Sequence, residues 1–260
     1  MSESRWRMDG LMFTLAVNAF GRDRLPYPIK WEPERRDPAE PIPYDEYEQM
    51  RREASQRLAG IADQRLHHAI STLLEPEVRV EVHGFVGQDF RQVVRIHAGM
   101  TDRAAAMAVQ LPGPTQAYGR DVILSVLPPQ ALAGQIVAHL PKCAGGKYEG
   151  LRARSSDVGR VEYAQHPTRL SLTEKIDRIV RRPRSSLGEI GVYAGPAIDS
   201  RPTPDVRGFH WMDYHPADGR YLLQHHPHEE FTLAPAPPEE ILRALHHTIT
   251  TTRRPTTPTW

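Results

Sequence analysis

Residues 76–99 read PEVRVEVHGFVGQDFRQVVRIHAG, and the spacing of apolar positions changes on entering them. Before Pro76 the apolar residues recur at helical intervals; after it Val78, Val80 and Val82 alternate with Arg79, Glu81 and His83. Alternation with period two marks a half-buried antiparallel strand, because successive side chains leave opposite faces of the backbone. The period returns over 90–97 with Val94 and Ile96, and Gly87 supplies the turn between. Two further strands, over 103–111 (Met107, Val109, Leu111) and 118–127 (Val122, Leu124, Val126), complete a meander, with turns at Thr101-Asp102 and Gly113-Pro114.

Toward the amino terminus the helical spacing predicts a run through Leu66, Ile70, Leu73 and Leu74. Another run, through Met50, Ala54, Leu58 and Ile61, opens with a capping box of Asp45 and Glu48. Prolines 26, 28, 33, 38, 41 and 43, interleaved with charges, make 22–44 an extended surface loop. Ahead of it a short strand over 5–8 and a helix over 10–20 are expected, with Asp9 as the helix N-cap.

Beyond the meander, Pro128 and Pro129 start a helix carrying Leu132, Ile136 and Leu140, and Pro141 ends it. Residues 143–168 have weak periodicity and read as a connection with room for a short helix. Ser171 and Glu174 form a capping box for a helix with Leu172, Ile176, Ile179 and Val180 on one stripe. Strands are expected over 189–194, 205–213, 220–225 and 230–234, then Pro237-Pro238 and a last helix.

The order helix, strands, double proline, helix therefore occurs twice. Aligning LPPQALAGQIVAHL with APPEEILRALHHTI sets Leu132, Ile136 and Leu140 on Ile241, Leu245 and Ile249. The reading is an α+β, pseudo-two-fold fold, with a central twisted antiparallel β-sheet flanked by helical bundles. Residues 1–142 form one subdomain, 143–249 repeat its order, and 250–260, rich in threonine and proline, form a disordered tail. A sheet pair flanked by helices leaves a broad sheet face for a partner.

Composition narrows the function. Thirty-three basic residues against thirty-two acidic give a formal net charge of +1, so no overall field draws the chain to nucleic acid or an anionic membrane. Basic runs at Arg178, Arg181, Arg182 and Arg184, and at Arg253-Arg254, carry no interleaved aromatic platform and read as solvated helix ends. Cys143 is the single cysteine, which excludes a disulfide framework and suits a reducing compartment; its flanks offer no activating base beyond Lys142. The amino terminus is not read as a signal peptide, since Asp9 and Gly10 precede a run broken by Thr14 and Asn18. No stretch approaches the roughly 20 apolar residues of a membrane span, so a cytoplasmic protein without membrane insertion is expected.

No phosphate loop, nucleophile elbow, zincin helix or dinucleotide fingerprint occurs, and no cofactor is implied. One cluster invites metal chemistry: His210, His215, His225, His226 and His228, with Asp213 and Glu229 nearby. Against it, HHPHEE falls on a turn where adjacent side chains diverge, and no i, i+4 histidine pair presents two imidazoles together. A metal-dependent enzyme using these histidines is the alternative to a non-catalytic binder.

Three regions together carry a resemblance: MDGLMFTLAVNAF with RLPYPI; PEVRVEVHGF with RQVVRIHAG; and GEIGVYAGPA, FHWMDYHPADGRYLL and FTLAPAPPEEILRAL. The chain resembles the EspG family of chaperones for PE-PPE proteins in type VII secretion, with Trp211, Asp213, Gly219, Arg220 and Tyr221 matching the most specific pattern. The resemblance implies an EspG-like fold and a PE-PPE heterodimer as partner, bound at the tip of the PPE helical hairpin. Phe85, Phe90, Trp211, Tyr214 and Tyr221 are the candidate contacts, although Trp211 and Tyr221 read equally well as core. Two features depart from the family: the 26–43 loop is unusually charged, and the loop over 86–89 is short.

Overall fold

Asp9 closes the first helix as expected: its carboxylate accepts the Met12 amide at 2.8 Å, satisfying an otherwise unpaired donor of the first turn. The computed structural model describes residues 4–35, 40–87, 89–158, 170–197 and 207–253. Strand β1 (Arg5–Met8) precedes helix α1 (Gly10–Asn18), followed by α2 (Tyr44–Ile61) and α3 (Gln64–Leu74). Four strands come next, β2 (Val78–Val86), β3 (Gln92–Met100), β4 (Ala105–Pro112) and β5 (Gly119–Leu127), and then α4 (Leu132–Ala138). The second half comprises β6 (Leu151–Arg154), α5 (Leu172–Val180), β7 (Ser186–Ala194), β8 (Arg207–Asp213), β9 (Arg220–His225), β10 (Glu230–Pro235) and α6 (Pro238–Arg253).

These strands form one ten-stranded antiparallel sheet in the order β1-β5-β4-β3-β2-β7-β8-β9-β10-β6. Outward from the β2–β7 junction, each half lays down its meander in sequence and ends on a strand taken from before it. Val82 faces Ile190 at the middle of the junction, while Val78 faces Ala194 and Val86 faces Ser186 at its ends. Exchanging β2 and β7 leaves this register unchanged, so a local two-fold passes between Val82 and Ile190. The outermost strands repeat one contact: Arg7 on β1 reaches Asp121 at 2.6 Å, and Arg152 on β6 reaches Glu230 at 2.9 Å.

Several expectations are corrected. Strand β6 lies where a connection was read, because its two inward residues, Leu151 and Ala153, are too few to show a period. Helix α2 begins at Tyr44 with Pro43 as its N-cap and no side-chain cap bond, so the Asp45–Glu48 box does not form; both residues lie past the cap. Arg79 and Glu81 are buried rather than solvated, paired with each other at 2.9 Å. Residues 250–253, read as tail, continue α6. Of that tail, 254–260 lie outside the described residues, as do 205–206 of the expected strand and 159–168 of the connection.

Three apolar clusters fill the fold. On one sheet face α4 and α6 meet over the centre, where Leu132, Ile136, Ile241, Leu245 and Ile249 pack on Val80, Val82, Ile190, Phe209 and Trp211. On the other face α1–α3 cover the β1–β5–β4 side with Phe13, Ile70 and Leu73 on Ala106, Val122 and Leu124. Helix α5 covers the far side, with Ile176 and Ile179 on Met212, Tyr221 and Leu233. Between these last two clusters, the middle strands of that face carry aromatic, imidazole and acidic side chains instead of an apolar seam.

Candidate partner-binding face

Because Val82 and Ile190 point to the α4–α6 layer, strand alternation turns Glu81, His83 and Phe85 of β2, and Leu187, Glu189 and Tyr193 of β7, to the opposite face. His210 of β8 lies opposite Glu189 in the ladder and joins them. The exposed edge of this group is a row. Phe90 meets the edge of Phe85 at 6.5 Å between ring centroids, Phe85 meets His83 at 5.1 Å, and His83 meets Tyr27 at 5.8 Å. The Tyr27 hydroxyl donates to Glu189 at 3.3 Å, His210 lies 3.6 Å from the same carboxylate, and His225 stands edge-on to His210 at 5.7 Å. Tyr27 reaches the row from the proline-rich loop, which is anchored to the sheet by the His97 ring nitrogen at 2.7 Å from the Tyr27 carbonyl.

Phe90 has a φ of +53°, a region phenylalanine rarely enters. The Gln116 side-chain amide donates to its carbonyl at 2.6 Å and its own amide donates to the Gly87 carbonyl at 3.1 Å, so the turn holds the ring beside Phe85. Both phenylalanines are half-buried, and are the members of the expected contact set that reach the surface.

Burial decides the charge state of the face. It depresses the basicity of His83, aided by the nearby Arg95 and Lys30, and that of His210, against the pull of Glu189. His97, fully enclosed beneath the loop, is held down to about 4. The phenols of Tyr27 and Tyr193 are pushed up to about 12, first by burial and then by Glu189 and Glu81 respectively. At neutral pH His83 and His210 are therefore neutral rings beside one half-exposed carboxylate, Glu189. The row offers stacking and hydrogen bonding, and no activated nucleophile.

Trp211, Tyr214 and Tyr221 lie elsewhere, with 0%, 2% and 0% of their surface exposed. Trp211 is on the α4–α6 side of the sheet, spread over Gly84 and Gly188, with its indole nitrogen donating to the Ser186 hydroxyl at 2.9 Å. The remaining motif residues tie a knot. Arg220 grips Asp213 with bonds of 2.5 and 2.7 Å and reaches the Pro141 carbonyl at 2.6 Å. The Tyr221 hydroxyl donates to Asp218 at 2.9 Å and accepts the Tyr148 amide at 2.9 Å, while Arg182 adds a bond to Asp218 at 2.8 Å. Gly219 is required there because a Cβ would stand 2.2 Å from the Gly145 carbonyl oxygen. These side chains fasten the 141–148 connection to the β8–β9 turn, and present no surface to a partner.

The histidine cluster does not assemble. His210 and His225 meet, but His226 bonds the Thr232 hydroxyl at 2.8 Å and His228 sits in a turn with φ of +62°. Among the described residues no three His, Cys, Asp or Glu groups are placed to hold a metal ion. The Cys143 thiol is pushed up to about 11 by burial and by Asp213, so it is a poor nucleophile. The basic run is occupied: Arg178 and Arg182 lie over the Tyr148 ring at 4.2 and 5.2 Å, and Arg181 pairs with Asp177 at 3.0 Å. Sequence reasoning overlooked Tyr27, His83 and Glu189. The signal available was the alternation of β2 and β7, which sets Glu189 on the same face as Phe85.

Among the described residues no helix is long and apolar enough to cross a membrane. No curated protein matches the chain. Residues 10–247 match the sequence model of the EspG family, nearly the whole span of the sheet and its helices. The chain therefore belongs to the EspG family, whose members are chaperones associated with type VII secretion.

Proposed function

We propose that this chain is a cytosolic chaperone that seats the tip of a PPE helical hairpin, within a PE-PPE heterodimer, on the open sheet face, keeping the pair soluble for a type VII secretion system. The observation that supports it is the row from Phe90 to His225, partly exposed between the two helix-covered flanks of that sheet face. Aromatic rings flanked by a polar rim are the usual anchors of a protein interface, and two phenylalanines at one end suit an apolar helix tip. Trp211, Tyr214 and Tyr221 serve this reading indirectly, Trp211 by packing on Gly84 and Gly188 behind the row and the two tyrosines by packing together at the β8–β9 turn. With the histidines dispersed and the thiol unactivated, the chemistry of the site favours binding over catalysis.

Co-expression with a PE-PPE pair, taken from beside this chain's gene where one is encoded there, tests the proposal. A soluble ternary complex on size exclusion is expected. Replacing both Phe85 and Phe90 by alanine should weaken it at least tenfold, since truncating a central aromatic anchor commonly costs about 2 kcal/mol or more. A wild-type chain that forms no complex with that pair would sink the assignment.

A further inference from the structure

The local two-fold crosses the open face, yet the two sides of the axis are chemically unlike. Exchanging β2 and β7 carries Glu81 onto Glu189 and Phe85 onto Tyr193, but His83 onto Gly191 and Arg79 onto Leu187. Glu81 is 8% exposed and satisfied by Arg79, so its symmetry mate Glu189 is the carboxylate left for a partner. Phe85 lies opposite Leu187 in the ladder and against Phe90, which makes one end of the row apolar. Glu189, His210 and His225 make the other end a cluster of hydrogen-bonding groups.

Width sets the size of the occupant. The strand residues of the row belong to β2, β7, β8 and β9, with Phe90 and Tyr27 reaching it from loops, and four strands at roughly 4.8 Å spacing span about 15–20 Å. Two helices packed about 8–10 Å apart, each about 10 Å across, have that footprint. One helix would leave half the row in water.

Resting on the proposed docking of a client hairpin, we infer that each end of the row seats a different helix of that hairpin, and that the contrast in polarity fixes which goes where. One helix end meets Phe85 and Phe90 through apolar side chains. The other meets Glu189, His210 and His225 and brings hydrogen-bond donors, amide or cationic, to the carboxylate. The reversed placement is penalised because an apolar helix end over Glu189 strips water from a charge and returns no bond. The Glu189 side chain is 51% exposed, with the Tyr27 hydroxyl and His210 as its neighbours, so it retains capacity to accept.

Photo-crosslinking on the full complex tests this. The chain is prepared in two forms, Phe90→benzoylphenylalanine and His210→benzoylphenylalanine, each bound to the PE-PPE pair used in the co-expression test, and the labelled client peptides are read by mass spectrometry. Position 90 is expected to label one helix of the hairpin and position 210 the other. Labelling of the same helix from both positions overturns the inference while leaving the docking intact; a wild-type chain that forms no complex removes both. In parallel, Glu189→Lys should weaken the complex tenfold or more without lowering the melting temperature of the free chain. Replacing the client donor labelled from position 210, amide or cation, by an acidic residue should restore binding, and a Glu189→Lys chain that binds as tightly as wild type also overturns the inference.

Discussion

Trp211 rests on two glycines from the strands at the centre of the sheet. A Cβ built on Gly188 would lie 2.2 Å from the indole, and one on Gly84 would lie 2.4 Å from it. Neither ring nor backbone has room to retreat, because the indole is fully enclosed and its nitrogen is committed to Ser186. Gly188→Ala is therefore expected to lower stability by about 1–3 kcal/mol, the usual cost of overpacking a filled core, read as a drop in the denaturant midpoint. An unchanged midpoint would mean that the indole is free to move. The same residues mark the limit of sequence reading. Phe85 and Trp211 were equally eligible as aromatic contacts, yet Phe85 falls on the open face and Trp211 on the helix-covered one. Strand period separates two faces but does not say which of them a helix will cover.

Helix starts differ in what holds them. Asp9 and Asp63 each accept an amide three residues on, at 2.8 and 2.7 Å, and Ser171 with Glu174 closes α5 reciprocally. Asp45 sits past the cap of α2 and makes no such bond. Asp63→Ala and Ser171→Ala should each cost about 1 kcal/mol in thermal or chemical unfolding, and Asp45→Ala distinctly less. A loss at Asp45 equal to that at Asp63 would contradict the cap assignment. The boxes at Asp45 and Ser171 look alike in sequence. What separates them is Pro43, whose fixed φ and missing amide suit a helix entry and move the start upstream. Strand β6 escaped notice for a different reason. Its pairing with β10, Leu151 opposite Leu233 and Ala153 opposite Phe231, links residues far apart in the chain, and no local pattern encodes such a partner.

At the scale of the whole molecule, the repeated helix, meander, double proline and helix were legible because each is a local pattern. The joining of the halves into one sheet was not. It depends on β2 and β7 offering each other complementary nine-residue edges. We take residues 1–142 and 143–249 as the two repeats, and separation of the first should expose that β2 edge together with Val78, Val80 and Val82. Because the junction register is symmetric, β2 of one copy can pair with β2 of another. Expressed alone, residues 1–142 should run as a dimer or larger species by light scattering, and a stable monomer would show that each half is complete without the other. The outermost strands raise the opposite question. Among the described residues no strand continues the ladder beyond β1 and β6, and a sheet edge of this kind is a template on which a further strand, from another copy, could grow. Arg7 with Asp121 and Arg152 with Glu230 set a charged pair at each of these ends. Both arginines are well exposed, so a strand laid along either edge would have to set its own side chains beside a charge. The two arginine clamps are therefore expected to discourage amyloid-like growth at both ends of the sheet.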